Sequence, residues 1–178
     1  RSDAFREKLI AANVTQIIVV VAPVPGFSED LINRCLAAAE HQRLRALILL
    51  NKSDLAEAAR GALESLKLYQ DLGYPLLTVS AKRDVSPLLP WLSRQTTVLV
   101  GQSGMGKSTL INALVPGAAA ATAELSAALN SGRHTTTSGR LYHLNPESHI
   151  IDSPGMQEFG LHHLALRDLA AAFVEFRP

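Results

Sequence analysis

The feature that most constrains this chain is a glycine-rich stretch at residues 101–109, which reads Gly-Gln-Ser-Gly-Met-Gly-Lys-Ser-Thr. An apolar run at 96–100 precedes it, and a segment with helical spacing at 110–114 follows it. A strand, a glycine-rich loop and a helix in this order are the context in which G-x-x-x-x-G-K-[ST] forms a phosphate-binding loop. The predicted nucleotide-binding residues of this loop are Gly101, Gln102, Ser103, Gly104, Met105, Gly106, Lys107, Ser108 and Thr109.

Each part of this loop has a chemical reason. The glycines let successive backbone N–H groups point inward at phosphate oxygens, and the helix that begins near Lys107 adds its positive dipole end. Lys107 should reach the β- and γ-phosphates, and Ser108 should offer its hydroxyl to Mg²⁺. The alternative is a glycine-rich turn that matches by chance. Because Gly makes up only about 7% of residues, this coincidence should be rare in one short chain.

Length and composition set the class of protein. A chain of 178 residues suits one domain with a sizeable core, and 47% hydrophobic with 19% charged residues is ordinary for a globular protein. Cys35 is the only cysteine, so we expect no internal disulfide and no cysteine-based zinc site. The longest apolar run, residues 17–24, is too short to span a bilayer. We therefore expect a cytoplasmic protein without membrane contact.

The net charge of +1 gives no global argument for nucleic-acid binding. A local basic patch is still possible at Arg133, His134, Arg140 and His143.

Short apolar runs alternate with helical patterns along the chain. The predicted strands are 17–22, 46–50, 76–79, 96–100, 137–144 and 149–151, and the predicted helices are 28–41, 55–72, a short one at Trp91 and 164–173. Leu141 and Leu144 are predicted to face inward, and 116–131 is read as a mobile connector, with an alanine helix as the alternative. This pattern predicts an α/β fold, a three-layer sandwich with a mostly parallel sheet. Ligands then bind beyond the carboxyl ends of the strands.

Asn51, Lys52, Ser53 and Asp54 follow the second strand with the N-K-x-D spacing that reads guanine in Ras-like GTPases. Asp54 can accept hydrogen bonds from the ring N1–H and the exocyclic amine of guanine, a donor pair that adenine lacks. Asn51 would brace the neighbouring loops or meet the base edge, and the stem of Lys52 would cover the ring. Taken alone, Asp54 could instead cap the next helix.

Two further motifs follow strands. Ser80, Ala81 and Lys82 come after the third strand, where the Ala81 N–H could meet guanine O6. Asp152 and Gly155 fit D-x-x-G, so Asp152 would hold Mg²⁺ through water and the Gly155 N–H could sense the γ-phosphate. A proline-glycine turn is the alternative for this second motif.

The motifs occur in a permuted order, because the base motifs precede the phosphate loop. This order, with Ser-Gly-Arg-His-Thr-Thr-Thr at 131–137 and Asp-Ser-Pro-Gly-Met-Gln-Glu-Phe-Gly-Leu at 152–161, closely resembles the circularly permuted, bacterial ribosome small-subunit-dependent GTPase family, RsgA or YjeQ. The resemblance extends over nearly all of residues 1–178, which we expect to form one permuted Ras-like GTPase domain.

The resemblance implies binding of GTP, GDP and Mg²⁺, and GTP hydrolysis during late maturation of the small ribosomal subunit, stimulated by that subunit. It also implies contact with rRNA through the full-length protein, which we expect to be a monomer. Family members carry an N-terminal OB-fold and a C-terminal zinc domain. We expect neither in this chain, and zinc only in that C-terminal domain.

Hydrolysis departs from the Ras pattern at one position. The glutamine that orients water after D-x-x-G in Ras-like enzymes is replaced here by Met156, whose thioether cannot orient water. The domain alone should therefore hydrolyse GTP slowly. The resemblance points to His134 as the group that positions or activates water, with a solvated surface histidine as the alternative. Thr136 or Thr137 would complete Mg²⁺ coordination, and Arg133 would neutralise charge or touch rRNA.

Two other functions remain open at this point. The phosphate loop also resembles those of P-loop small-molecule kinases, which would have no use for N-K-x-D as a base reader. A nucleotide-binding scaffold without turnover is the third reading. Tight ADP binding with weak GDP binding would favour the kinase, and GTP turnover would separate the GTPase from the scaffold.

Overall fold

The computed structural model describes residues 13–115, 117–118 and 140–153. The strands within these ranges are β1 (Gln16–Val21), β2 (Arg45–Leu50), β3 (Leu76–Thr78), β4 (Thr96–Val100), β5 (Arg140–Asn145) and β6 (Ser148–Asp152). The helices are α1 (Glu29–His41), α2 (Ala56–Asp71), α3 (Leu89–Leu92), which follows a 3-10 turn at Ser86–Leu88, and α4 (Lys107–Leu114). None of the described helices is long and apolar enough to cross a bilayer.

The six strands form one sheet in the order β3-β2-β1-β4-β6-β5. All pairings are parallel except the one between β5 and β6, which is antiparallel. Every residue of β1 is buried, because the strand lies inside the sheet and is covered on both faces. This explains why its sequence is a continuous apolar run without alternation. The prediction of a mostly parallel α/β sheet is confirmed.

Helices cover both faces of the sheet. One core cluster packs α1 and α2 against the sheet through Ile32, Cys35 and Leu66. The other packs the 3-10 turn, α3 and α4 against the opposite face through Leu88, Leu92 and Leu110. The three layers of the predicted sandwich are therefore present. Cys35 is fully buried, and burial raises the pKa of its thiol to about 12, so it is the inert core residue that its helix face predicted.

The N-termini of α1 and α2 show which of the predicted helix caps form. Ser28 caps α1 as expected, since its Oγ accepts a hydrogen bond from the Leu31 N–H at 3.4 Å. Leu55 stands at the start of α2 without a side-chain cap. The alternative role of Asp54 as a helix cap is therefore wrong.

The edge strand β5 corrects one prediction. Leu141 was expected to face inward, but it is 50% exposed, whereas Tyr142 is buried and Leu144 packs partly against the core. Exposure alternates along the strand, so Leu141 lies on the face opposite to Tyr142 and Leu144, and two residues three positions apart could not both face inward. The predicted start at 137, the predicted helix 164–173 and most of the predicted connector 116–131 lie outside the described residues.

Candidate nucleotide-binding site

The parallel strands deliver the predicted motifs to one edge of the sheet. Asn51 follows β2, Ser80 lies just beyond β3, Gly101 follows β4 and Asp152 ends β6. Since neighbouring parallel strands end on the same side, loops that are far apart in sequence meet there. The base motifs, the phosphate loop and Asp152 therefore lie at the same edge of the sheet.

Two glycines of the phosphate loop are required by the space around them. Gly101 has φ +150° and Gly106 has φ +92°, a backbone region that disfavours side chains. A Cβ atom at Gly101 would overlap the carbonyl oxygen of Val20, and one at Gly106 would overlap the amide nitrogen of Asn51. The motif glycines therefore allow the loop to pass closely over β1 and over the base motif.

Lys107 lies in the first turn of α4 and is held by its own loop. Its Nζ donates to the carbonyl oxygens of Gly101 and, at 3.0 Å, Gln102. An ammonium group has three donors, so these two bonds leave one for a phosphate oxygen. Burial lowers the pKa of Lys107 and raises the pKa of Asp152, and the opposite charge of each residue counteracts the shift of the other. The two side chains thus form an electrostatically coupled pair at the edge of the sheet.

Hard oxygen donors for a divalent cation stand at the same place. Asp152 is a partly buried carboxylate, and Ser108 presents an exposed hydroxyl in the first turn of α4. Carboxylate and hydroxyl oxygens are ligands that Mg²⁺ accepts together with phosphates and water. The described ranges contain no group of three or more His, Cys, Asp or Glu able to hold a metal by themselves. This donor set therefore fits a Mg²⁺ ion completed by a nucleotide.

Asn51 joins the base motif to both neighbouring loops. Its side chain is buried, its Nδ2 donates to the carbonyl oxygen of Met105 at 2.9 Å, and its Oδ1 accepts from the Ala81 N–H at 2.9 Å. Of the two roles considered for Asn51, bracing is the one observed. The expected contact of the Ala81 N–H with guanine O6 is not the one it makes here, because the amide oxygen of Asn51 takes this donor.

Lys52 also reaches the phosphate loop. Its backbone has φ +60°, and its Nζ donates to Val24 O at 2.8 Å and to Gly104 O at 2.7 Å. These bonds extend the aliphatic stem of Lys52 towards the phosphate loop and towards the loop between β1 and α1, which contains Val24. An extended stem of this kind is what covering a base ring requires.

Asp54 is oriented by Ser80. The Ser80 hydroxyl donates to Asp54 Oδ1 at 2.7 Å, and this hydrogen bond is the main cause that lowers the pKa of the carboxyl, with Arg83 and Lys82 contributing. The carboxylate is therefore ionised and fixed at neutral pH, and it is partly exposed. A cleft of about 270 Å³ borders it, lined by Ser53, Asp54, Thr78, Val79, Ser80, Arg83, Asp84 and Pro87.

Several predicted residues cannot be placed. His134, Thr136, Thr137 and Gly155 lie outside the described residues, as does Met156. Their assigned roles stay predictions. Lys82, Ser103 and Thr109 are exposed, and Met105 is buried in the core beneath the loop.

The loop between β1 and α1 belongs to the site and was missed by motif reasoning. Val24 O accepts from Lys52, and the Ser28 N–H donates to the side chain of Gln102 at 3.1 Å. No short motif marks this loop. Its position after a parallel strand, together with Pro23 and Pro25, was the signal that could have placed it at the same edge.

Comparison with known proteins places this geometry in a family. The sequence model described as RsgA GTPase matches residues 1–162. A protein named small ribosomal subunit biogenesis GTPase RsgA from Nitrosospira multiformis is 62% identical over 178 residues, which is 100% of this chain and 57% of that protein. The protein of the same name from Nitrosomonas europaea is 59% identical over 181 residues, 100% of this chain and 58% of that one. The chain thus spans well under two thirds of the length of these relatives.

Solved structures agree with the sequence relatives. The crystal structure of YjeQ from Thermotoga maritima has a TM-score of 0.73 at 30% identity, covering 93% of this chain and 56% of that one. The structure titled YloQ, a circularly permuted GTPase, has a TM-score of 0.68 at 26% identity, covering 92% and 52%. In this chain too, the strands that carry the base motifs, β2 and β3, precede in sequence the strand β4 that leads into the phosphate loop, and all three belong to one sheet. The chain belongs to the RsgA GTPase family.

Proposed function

We propose that residues 1–178 form one GTPase domain that binds GTP with Mg²⁺ and hydrolyses it to GDP and phosphate. The observation that carries this proposal is the double hydrogen bond of Asn51. It ties the phosphate loop at Met105 to the base-reading loop at Ala81 through 2.9 Å contacts. A phosphate loop and a guanine motif that share one buried brace form a single continuous site, which a kinase without base reading would not need.

Guanine selectivity would come from Asp54. Its carboxylate is fixed by Ser80 through one oxygen and is held ionised by hydrogen bonding and neighbouring positive charge. A fixed carboxylate accepts well from the N1–H and amine of guanine, whereas adenine would leave it without those donors. Lys52 would cover the ring with its stem.

The phosphates would lie in the loop of residues 101–109. Lys107 would donate its remaining N–H to the β- and γ-phosphates, and Ser108 and Asp152 would take part in holding Mg²⁺, with Thr136 or Thr137 completing the set. When bound there, Mg²⁺ would supply positive charge that neutralises the phosphates. The Gly155 N–H would sense the γ-phosphate.

His134 would position or activate the attacking water. The water oxygen forms a bond to the γ-phosphorus, the bond to the β–γ bridging oxygen breaks, and GDP leaves while the water proton passes to His134 or to the departing phosphate. Met156 cannot take this role because a thioether is only a weak acceptor. Slow turnover of the isolated chain is the expected consequence.

In the whole protein we propose a switch in late maturation of the small ribosomal subunit. The relatives at 62% and 59% identity carry the name of a GTPase in small ribosomal subunit biogenesis. We therefore propose the small subunit and its rRNA as the partner, stimulation of hydrolysis by that subunit, a monomer, and the cytoplasm as the location.

Fluorescent GDP and ADP analogues test the nucleotide class with the full-length protein. We expect tight GDP and weak ADP binding; the reverse would support the small-molecule kinase. GTP turnover is then measured with and without purified small subunits. Stimulation is expected, and its absence would contradict the ribosomal role.

A substitution tests the proposed water-activating group. In the same assays, His134→Ala should keep GDP affinity and lower turnover, because only the water-activating group is lost. Unchanged turnover would reject the role of His134.

A further inference from the structure

Gln102 occupies one of the variable positions of the phosphate-loop motif, and its side chain makes a contact that the motif does not require. Its Oε1 accepts from the backbone N–H of Ser28 at 3.1 Å, a partly buried bond between residues 74 positions apart. Ser28 is the N-cap residue of α1. The side chain of a phosphate-loop residue is therefore anchored to the start of a helix on another part of the sheet.

The backbone carbonyl of Gln102 also binds the ammonium group of Lys107. Gln102 O accepts from Lys107 Nζ at 3.0 Å. One residue thus makes two directed hydrogen bonds, one outward to α1 and one inward to Lys107. Fixing the side chain at Ser28 limits rotation of the peptide unit whose carbonyl aims the ammonium group.

The β1–α1 loop that provides this anchor is itself fastened to the phosphate loop. Lys52 Nζ bridges Val24 O and Gly104 O at 2.8 and 2.7 Å. A Cβ atom built at Gly104 would lie 3.4 Å from the ring of Pro25, in van der Waals contact, so the phosphate loop lies beside the β1–α1 loop there. The anchor is therefore part of a docked loop rather than of a free surface segment.

We propose that the Gln102 side chain is a positioning group for the nucleotide site, which fixes Lys107 through its anchor at Ser28 and thereby slows the release of GDP. This inference rests on the proposed guanine-nucleotide function. It assigns to a side chain at a variable motif position the control of how long the nucleotide stays bound.

The test uses the full-length protein and a fluorescent GDP analogue released by excess unlabelled GDP. Gln102→Met keeps the length of the side chain but offers only a weak sulfur acceptor. We expect dissociation about two- to tenfold faster than in the wild type, the range that corresponds to one neutral hydrogen bond. Gln102→Ala should also speed GDP dissociation. This second variant keeps the test valid if the methionine side chain adopts new packing contacts.

The matched control is Tyr69→Phe. It removes a hydrogen bond of 2.9 Å between Tyr69 and Asn33, which joins α2 to α1 five residues beyond Ser28 and leaves the bond between Ser28 and Gln102 in place. This variant should lower the melting temperature without changing GDP dissociation, whereas the Gln102 variants should change dissociation with little effect on melting of the nucleotide-free protein.

Two outcomes overturn the inference while leaving the proposed function intact. One is wild-type dissociation in both Gln102 variants. The other is equal acceleration in Tyr69→Phe, which would mean general loosening of the fold. Failure of the wild type to bind GDP at all is a separate result that defeats the proposed function itself.

Discussion

The close approach of Gly106 to Asn51 predicts a specific energetic coupling between two residues 55 positions apart. A Cβ atom at Gly106 would overlap the amide nitrogen of Asn51, which donates to Met105 O at 2.9 Å. Gly106→Ala must therefore push the Asn51 side chain away and break that bond. If Asn51 is already Ala, the obstacle and the bond are both absent.

The magnitudes follow from the contacts. Asn51→Ala leaves Met105 O and the Ala81 N–H without their side-chain partner and should cost about 2–4 kcal/mol in free energy of unfolding. Gly106→Ala should cost about 1–2 kcal/mol for its positive φ, plus about 1–3 kcal/mol for the displaced amide. Relative to Asn51→Ala, the double variant adds only the backbone cost of the positive φ at position 106, because no Asn51 amide is left to displace. Its destabilisation should be smaller than the sum of the singles by about 1–3 kcal/mol.

Gly73→Ala is the matched control. Gly73 has φ +93°, almost the same as Gly106, but a Cβ atom there meets nothing within 4 Å. Gly73→Ala should therefore show only the cost of the positive φ. Its loss in free energy of unfolding should be additive with that of Asn51→Ala. The assay is urea unfolding without nucleotide, followed by the fluorescence of Trp91, the single tryptophan of the chain. If the coupling for Gly106 is as small as that for Gly73, Asn51 does not hold the phosphate loop in the way described.

Two further predictions concern single groups. Asp54→Asn should keep the bond from Ser80 but face guanine with an amide donor, so GDP affinity should fall by about 100-fold and xanthosine diphosphate should compete better than GDP, as measured by displacement of a fluorescent analogue. Burial raises the pKa of Cys35 from 9.0 to about 12, so folding stability from this thiol is fully present below pH 9 and is lost as pH rises towards 12. Urea titrations at pH 8 and 10 should show this loss and Cys35→Ala should reduce it; an identical loss in the variant would contradict the assignment.

Most of the secondary structure could be predicted from the sequence, because each buried strand is a short apolar run that ends in polar or glycine-rich residues. The predicted strand 96–100 matches β4, and the predicted helix 55–72 matches α2 to within one residue at each end. The exception is Leu141 on the edge strand β5, which lies on the exposed face of an alternating strand. Leu141 and Leu144 are three positions apart and so lie on opposite faces of a strand, and the prediction missed that the inward partner of Leu144 is Tyr142.

The site could be predicted in part, and the division has a physical cause. Which loops meet is determined by the sheet, whose five mutually parallel strands all end on one side whatever the order of the chain. A permuted order therefore leaves the site unchanged. Which side chains bridge those loops depends on distances of a few ångströms between segments far apart in sequence. The bond of Gln102 to Ser28 spans 74 positions and that of Asn51 to Met105 spans 54, and neither belongs to a local pattern. Motifs thus identify the groups that face the nucleotide, whereas the bonds that hold those groups in place follow only from the fold.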